Sequence, residues 1–172
     1  MIIHNTFFSI ITPTLNSEKT LEKCLDSGAL QNMVTFEQII VDGGSTDKTL
    51  KICLDHSQSY KLIIKDDKKK GIYNAINEGI KASSGEFIIL LNSDDWFFEK
   101  DTLMKIKNCI QSRESKNQIF IFKSMIFDGD KYVGKINQDE NYKLPLQKLP
   151  FSHGAMIVRK SFFEDNYFYD EC

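Results

Sequence analysis

Disulfide and zinc chemistry have little support in this sequence. Its four cysteines, Cys24, Cys53, Cys109 and Cys172, are scattered, with no C-x-x-C pair and no cysteine-histidine spacing that suits zinc. Cys24, Cys53 and Cys109 fall in helical patterns beside leucine or isoleucine. We therefore interpret these three as small core residues of a protein in a reducing cytoplasm.

Long apolar runs and secretion signals are also missing. No segment reaches the roughly 20 apolar residues that a membrane-spanning helix needs. Residues 1–15 include an apolar stretch, but they have no basic leader and no small-residue cleavage site, and Pro13 interrupts them. We expect a cytoplasmic protein, and a position at the inner face of a membrane stays open.

The charge balance shows no excess of basic residues. The formal net charge is -2 at pH 7. General nucleic-acid binding needs a clustered basic surface, so we expect no nucleic-acid partner. With 172 residues, of which 41% are hydrophobic, the chain is long enough for a single domain with a real core.

Strand and helix patterns alternate through the first two-thirds of the chain. The first strand is followed by a predicted turn through Pro13, and Asn16 or Ser17 is predicted to cap the first helix. Helical periodicity separates strand candidates at 7–12, 36–41, 62–65 and 87–91. This alternation predicts an α/β fold with a mostly parallel sheet, right-handed crossovers and helices on both faces.

The pattern becomes α+β in character after about residue 118. A final short helix is predicted from the capping-box spacing of Ser161 and Glu164. Strand segments are predicted at 119–122, 125–127 and 156–158.

An apolar strand candidate at 87–91 stops abruptly on Asn92, Ser93, Asp94 and Asp95. Such a run indicates a strand buried on both faces, and its carboxyl end is where an open α/β sheet places its ligand crevice. Adjacent carboxylates repel each other there unless a cation or a hydrogen-bonding substrate offsets the repulsion. We expect Asp94 to bind Mg²⁺ or Mn²⁺, with Asn92 or Asp95 holding a water or orienting the substrate. The alternative is that these residues only cap the next turn.

Loops after the first and second strands are expected to meet this crevice. The first carries Thr14 and Asn16, and the second begins with Asp42. Asp42 precedes two glycines, of which Gly44 lets the backbone approach a ligand closely, so its carboxylate could accept a hydrogen bond from a pyrimidine imide. The alternative is an Asx-turn that ends the strand. The lysines at 68–70 are either a solvated run or a phosphate contact before a helix.

Other phosphate and hydrolase signatures are absent. The sequence has no G-x-x-x-x-G-K spacing, no G-x-G-x-x-G after the first strand and no G-x-S-x-G elbow. A P-loop, a nicotinamide or flavin site and serine-hydrolase chemistry are therefore unsupported.

Four segments, taken together in this order, resemble the family 2 glycosyltransferases of bacterial surface-polysaccharide synthesis. They are SIITPTLN at 9–16, IIVDGGSTD at 39–47, GIYNAINEGI at 71–80 and LNSDDW at 91–96. The resemblance implies a GT-A fold, a nucleotide-diphosphate-sugar donor, and Mg²⁺ or Mn²⁺. It also implies inverting transfer to a saccharide or lipid-linked acceptor.

The resemblance also implies site residues by position. Asp42 would contact the base, Asp67 would lie near the nucleoside, and Asp94 would be the metal ligand. Asn92 stands where the family's Asp-x-Asp motif has its first acid. The implied donor-binding residues are Thr12, Pro13, Thr14, Asn16, Asp42, Gly44, Asp67, Asn92, Ser93 and Asp95.

Residues 151–163 and 167–171 resemble the family's acceptor-side segments, and the chain then ends at Cys172. In the family, the aspartate that deprotonates the acceptor follows the second segment, so we expect the usual general base to be absent, as in a truncated protein or gene. The single domain 1–172 would then comprise a nucleotide-sugar-binding half, 1–117, and an incomplete acceptor-side half, 118–172. His153 is the candidate substitute base; its alternatives are a structural role or a hydrogen bond to the acceptor.

Two alternatives to an active transferase stay open. One is a catalytically inactive nucleotide-sugar-binding module that lacks the base. The other is a sugar-nucleotide pyrophosphorylase, which should carry a glycine- and arginine-rich loop where this chain has PTLNS at 13–17. Peripheral membrane association of a full-length form is also left open.

Overall fold

A six-stranded sheet with helices on both faces dominates the structure, which is a computed structural model. It describes residues 6–32, 34–67, 71–113, 118–128, 131–136, 153–164 and 168–169, without the side chains of Ile136 and His153. Predictions that concern residues 68–70, 151–152, 165–167 and 170–172 lie outside the described residues.

The helices and strands follow the predicted alternation. The first part contains β1 (Phe8–Thr14), α1 (Leu21–Ala29), β2 (Phe36–Asp42), α2 (Thr49–His56), β3 (Leu62–Asp66), α3 (Ile72–Ala82), β4 (Phe87–Leu90) and α4 (Thr102–Ser112). The second part contains β5 (Ile119–Ile121), β6 (Ser124–Asp128), β7 (Lys131–Ile136), a 3₁₀ turn (His153–Ala155), β8 (Met156–Arg159) and α5 (Lys160–Glu164).

The strand order of the main sheet is β3-β2-β1-β4-β8-β5. Strands β1 to β4 run parallel, and β8 is antiparallel to both β4 and β5. The predicted mostly parallel sheet is therefore confirmed. From β1 the strand order continues to β2 and β3 on one side, and to β4, β8 and β5 on the other. The direction of winding therefore reverses between β1 and β4, and the carboxyl ends of these two strands border the crevice that such a reversal creates. Strands β6 and β7 form a separate hairpin.

Each face of the sheet has its own apolar core. Phe8 and Ile10 of β1 pack with Leu21 of α1 and Leu103 of α4. Ile11, whose side chain points to the opposite face, packs with Ile76 and Ile80 of α3. The helices predicted on both faces are confirmed.

Strand β1 continues through Pro13, so the predicted turn at that residue is wrong. Pro13 pairs with Val41, and Thr14 pairs with Asp42. The main-chain oxygen of Ile11 accepts the N–H of Leu91 at 3.0 Å, beyond which pairing with β4 stops. The nitrogen of Pro13, two residues further on, faces that same side, where no ladder hydrogen bond is lost.

The start of α1 also differs from the prediction. The helix begins at Leu21, and neither Asn16 nor Ser17 caps it through its side chain. Instead the main-chain oxygen of Ser17 accepts the N–H groups of Thr20 and Leu21 at 3.1 and 3.0 Å. Asn16 is used elsewhere, in contacts between loops, and it has a positive φ of 51°.

The segment 168–169 is tied to α3 by one buried side chain. Asn77 donates its amide N–H to the main-chain oxygen of Tyr169 at 2.9 Å and accepts the N–H of Tyr169 at 3.0 Å. The ring of Tyr169 also stacks on Tyr73, with centroids 5.9 Å apart. These contacts hold the chain against the helix that begins beside the crevice.

The cysteines are thiols in the described part of the chain. Cys24 and Cys53 are buried, which confirms them as core residues, and Cys109 is half-buried. Burial raises the pKa of Cys24 to about 12 and that of Cys53 to about 11. Both are therefore unreactive at neutral pH.

Among the described helices, none is long and apolar enough to cross a membrane.

Candidate functional site

A cleft of about 900 Å³ opens at the carboxyl ends of β1 and β4. We call it the donor-side cleft. It lies at the edge where the sequence predicted a pocket, and it has the size of a small-molecule site. The predicted site residues that line it are Pro13, Thr14, Asn16, Asp67, Asn92, Ser93 and Asp94.

Asp42 lies behind the wall of this cleft, with its carboxylate occupied by four donors. One oxygen accepts the hydroxyls of Thr14 at 3.1 Å and Ser45 at 2.5 Å. The other accepts the N–H groups of Gly44 at 2.9 Å and Ser45 at 2.8 Å. This is the Asx-type turn that the sequence analysis left as an alternative. A base contact by Asp42 stays a prediction, and it would require an exchange of one of these donors.

Asn16 joins the first loop to the second. Its side-chain oxygen accepts the N–H of Thr46 at 2.9 Å, and its own N–H donates to the hydroxyl of Ser45 at 2.9 Å. The positive φ that these bonds require is tolerated by asparagine better than by most residues. Asn16 therefore shapes the cleft as well as lining it.

The third loop is attached to the first through two serines. The hydroxyls of Ser17 and Ser93 lie 2.9 Å apart. Within the third loop, the amide of Asn92 donates to the carboxylate of Asp95 at 3.1 Å. The three strand-end loops thus form one hydrogen-bonded unit around the cleft.

Asp67 closes the far side of the cleft. It is buried, its N–H donates to the main-chain oxygen of Asp42 at 2.8 Å, and its carboxylate accepts the amide of Asn74. Asn74 was not singled out from the sequence, although it lies in the helical segment that carries the resemblance. Its position one turn into α3 directs it back to the strand end.

Thr12 is a correction to the predicted lining. Its side chain is fully buried, and its hydroxyl accepts the amide of Gln38 at 2.9 Å. Thr12 and Thr14 point to the same face of β1, but Thr12 lies one pleat deeper, so the strand and the neighbouring core shield it from the cleft. Gly44 also does not line the cleft; its N–H supports Asp42.

Asp94 and Asp95 are adjacent carboxylates, of which Asp94 lines the donor-side cleft and Asp95, predicted as a donor-binding residue, does not. Asp94 and Asp95 are both exposed, and partial desolvation of the Asp95 carboxylate together with the charge of Asp94 raises the pKa of Asp95. Within the described ranges, no group of three or more His, Cys, Asp or Glu side chains is arranged around a common metal position. An exposed carboxylate next to a second carboxylate suits a hard cation that takes one or two protein ligands and completes its shell with phosphates and water.

A second cleft, of about 610 Å³, shares Asp94 with the first. We call it the aromatic cleft because Trp96, Phe97, Phe98, Phe122 and Phe127 line it. The sequence analysis missed it. The aromatic residues next to Asp95 were a signal, but their contact with the β6–β7 hairpin is a tertiary one.

His153 begins the 3₁₀ turn whose next residues, Gly154 and Ala155, line the aromatic cleft. Its side chain lies outside the described atoms, so its role as a base stays a prediction. The charged residues at 170–171 also lie outside the described residues.

Solved structures with the same fold contain nucleotide ligands. S. aureus TarS 1-349 in complex with UDP aligns with a TM-score of 0.79 at 26% identity, over 96% of this chain and 51% of that one. TarS is also known in complex with UDP-GlcNAc. The mannosyltransferase PcManGT from Pyrobaculum calidifontis, in complex with GDP-Man and Mn²⁺, aligns with a TM-score of 0.72 over 95% of this chain and 47% of that one. At 15% identity, this second likeness shows the fold alone. The predicted GT-A fold is confirmed.

Sequence relatives are glycosyltransferases too. A PGL/p-HBAD biosynthesis glycosyltransferase of Mycobacterium bovis is 35% identical over 162 residues, or 91% of this chain and 60% of that protein. The chain therefore spans about 60% of the length of these curated relatives. The family model for Glycosyl transferase family 2 matches residues 9–167, which is most of the sequence. The chain belongs to glycosyl transferase family 2.

Proposed function

We propose that this chain binds a nucleotide-diphosphate sugar in the donor-side cleft and transfers the sugar, with inversion, to a saccharide or lipid-linked acceptor. The observation that carries the proposal is the linkage of three strand-end loops around one cleft. Asn16 joins the first loop to the second, and Ser17 joins the first loop to the third. Such a rigid polar wall is suited to orient a ligand before reaction. The UDP and UDP-GlcNAc complexes of TarS support the donor class.

The cleft divides into two chemical ends. Asp67, which follows β3, lies at one end, where the nucleoside would bind. Asp94 forms the other, where the diphosphate would lie. Asp94 would hold Mg²⁺ or Mn²⁺, and the chemistry of that ion is to neutralise the charge that develops on the departing diphosphate. Asn92 and Asp95, which hydrogen-bond to each other, would orient Asp94 and the sugar.

The transfer itself exchanges one bond at the anomeric carbon for another. The oxygen of the acceptor hydroxyl bonds to that carbon from the face opposite the diphosphate. The bond from the carbon to the diphosphate oxygen breaks, and its electron pair leaves on the nucleoside diphosphate. The hydroxyl proton passes to a base, for which His153 is the candidate in this chain. A positioned base contributes about 10²- to 10⁴-fold in rate.

Calorimetry with UDP tests the donor site and Asp94 separately. We expect Mn²⁺ to tighten UDP binding to the chain and Asp94→Asn to remove that tightening. Asp55→Asn is the control because Asp55 lies exposed on α2, where it pairs with Lys51. UDP binding that responds to Mn²⁺ equally in the Asp94 variant and the control would overturn the metal assignment.

Mass-spectrometric transfer assays with UDP-, GDP- and dTDP-sugars then separate an enzyme from a binding module. We expect a glycosylated product and release of nucleoside diphosphate. Donor binding without any product would favour the catalytically inactive module. Surface-polysaccharide synthesis and peripheral membrane association stay predictions from the family resemblance.

A further inference from the structure

The third loop, which follows β4 and carries Asp94, is held by a buried serine of α1. The hydroxyl of Ser27 accepts the N–H of Phe97 at 3.0 Å and donates to the main-chain oxygen of Cys24 at 2.7 Å. Ser27 is 7% exposed, so solvent competes little for either bond. The main chain of the loop is thereby attached to α1 three residues beyond Asp94.

Gln31 holds the same loop at its far end. Its amide N–H donates to the main-chain oxygen of Glu99 at 2.8 Å, and its side-chain oxygen accepts the N–H of Leu103 at 3.0 Å. Leu103 lies in the first turn of α4, where main-chain N–H groups lack partners within the helix. Gln31, which is 8% exposed, therefore joins the end of the loop to the start of α4 through both polar atoms of its amide.

The side chains that contact the loop are spaced along one side of α1. Ser27 and Gln31 are four residues apart, which places them on the same helical face. The N–H of Gln31 bonds to the main-chain oxygen of Gly28 at 2.9 Å, so the helical course continues past the end of α1. Four residues before Ser27, the ammonium of Lys23 lies 3.6 Å from the ring centroid of Trp96. Three successive positions on one face thus contact the loop.

The carboxylate of Asp94 depends on the loop for its position. Asp94 is exposed, and within the described part of the chain no side-chain hydrogen bond or ion pair orients its carboxylate. A ligand group on a loop that samples several conformations binds more weakly, in proportion to the fraction of time that it spends in the competent one. Contacts that restrict the loop therefore raise the affinity of the group that it carries.

We infer that Ser27 and Gln31 are positioning residues for Asp94. They hold the third loop in the conformation in which this carboxylate binds the divalent cation beside the donor diphosphate. The inference rests on the proposed function, in which Asp94 is the metal ligand. It adds two residues that contact neither the cation nor the donor and act only through the main chain of the loop.

Calorimetry of the full chain with UDP, with and without Mn²⁺, tests the inference in Ser27→Ala. The quantity measured is the factor by which Mn²⁺ tightens UDP binding. We expect this factor to fall about fivefold, which corresponds to one lost hydrogen bond. UDP affinity without Mn²⁺ should stay unchanged, because Ser17 and Ser93 still attach the near end of the loop. Alanine is a good helix former, so we expect α1 to stay folded.

Ser83→Ala is the matched control. Ser83 is also buried, and its hydroxyl also donates to a main-chain oxygen three residues earlier, that of Ile80, at 2.6 Å. It lies between α3 and β4, outside both clefts. We expect the Mn²⁺ factor to be that of the native chain. An equal fall in Ser83→Ala, or an unchanged factor in Ser27→Ala, would overturn the inference.

Tryptophan fluorescence provides a second readout that needs no metal. Trp96 is the only tryptophan of the chain and lies in the third loop. Gln31→Met keeps the length of the side chain and removes both of its hydrogen bonds to the loop and α4. Without UDP or Mn²⁺, we expect acrylamide to quench Trp96 more strongly in Gln31→Met and Ser27→Ala than in the native chain or Ser83→Ala. Equal quenching in all four proteins would overturn the inference, and Ser27→Ala alone suffices if Gln31→Met does not fold.

The native chain separates this inference from the proposed function. If Mn²⁺ does not tighten UDP binding to the native chain, the metal assignment fails, and the inference that rests on it fails too. If Mn²⁺ tightens UDP binding to the native chain and to Ser27→Ala by the same factor, the positioning role alone fails.

Discussion

The two clefts that meet at Asp94 are held together by different forces. Around the donor-side cleft, Asp42, Asn16 and Ser17 join three loops through hydrogen bonds of 2.5–3.1 Å. Around the aromatic cleft, ring contacts centred on Phe127 join a loop to a hairpin. Hydrogen bonds fix direction and distance, whereas apolar packing tolerates changes of shape. The comparison teaches that directed bonds fix the wall of the donor-side cleft, whereas the shape of the aromatic cleft depends on how its rings pack.

The strongest test of the polar side is Asp42→Ala. The substitution leaves the N–H groups of Gly44 and Ser45 and the hydroxyl of Thr14 without their acceptor. We expect the free energy of unfolding to fall by about 3 kcal/mol, since each unsatisfied buried donor costs about 1–3 kcal/mol. Urea denaturation measures the change, with the exposed Asp55→Ala as a control. A loss below about 1 kcal/mol would mean that water readily replaces the carboxylate.

Asn16 offers a graded version of the same test. Asn16→Gly keeps the positive φ and loses the bond to Thr46, so we expect a loss of about 1 kcal/mol. Asn16→Ala loses the bond and also strains the backbone, so we expect about 2 kcal/mol. UDP affinity should fall in both variants. Equal stability of the two variants would show that the backbone conformation contributes nothing.

A substitution on the aromatic side should behave differently. Tyr132→Ala removes one ring contact with Phe127 from a half-exposed position. We expect a loss of about 1 kcal/mol in stability and no change in UDP affinity. Calorimetry with UDP and thermal unfolding are the two measurements. A drop in UDP affinity as large as that of Asn16→Ala would erase the contrast between the clefts.

The smallest expected effect is that of a substitution at Glu37, which pairs with Ser9 near the amino ends of β1 and β2. Burial alone would raise the pKa of Glu37, but Lys61 and the hydrogen bonds from Ser9 and Ser84 outweigh it and lower the pKa below its ordinary value of 4.5. A lowered folded-state pKa adds stability above the unfolded-state pKa, and this stability is lost as pH falls through the folded-state value.

We therefore expect Glu37→Gln to flatten the acid limb of the stability profile, measured by urea denaturation from pH 7 down to about pH 3. The variant should leave UDP affinity at neutral pH unchanged, because Glu37 is far from the cleft residues in the sheet register. An acid limb identical to that of the native chain would show that Glu37 is not the group that titrates.

The elements that the sequence predicted well are those set by local pattern. The apolar runs of β1, β2 and β4 are long enough to identify buried strands, and the loops that follow them had to share one edge of a parallel sheet. Pro13 was misread because its tolerance depends on where β4 stops, which is not a local property. Thr12 was misplaced because depth within a strand depends on what packs above it.

The sequence predicted where the candidate site lies better than it predicted the contacts that form it. Asn16 or Ser17 was expected to cap a helix, but the side chain of Asn16 instead accepts the N–H of Thr46, 30 residues away. Phe98 and Phe127 could not be paired from the sequence, because no periodicity relates a loop to a hairpin strand. The aromatic cleft is thus a product of tertiary packing that short-range patterns do not encode.

Asp94 forms part of the wall of both clefts. Whatever neutralises this carboxylate when one ligand arrives changes the surface that the other ligand meets. Thermodynamic linkage then requires the two affinities to influence each other by the same factor. A single side chain can in this way couple the binding of two molecules that meet only at its carboxylate.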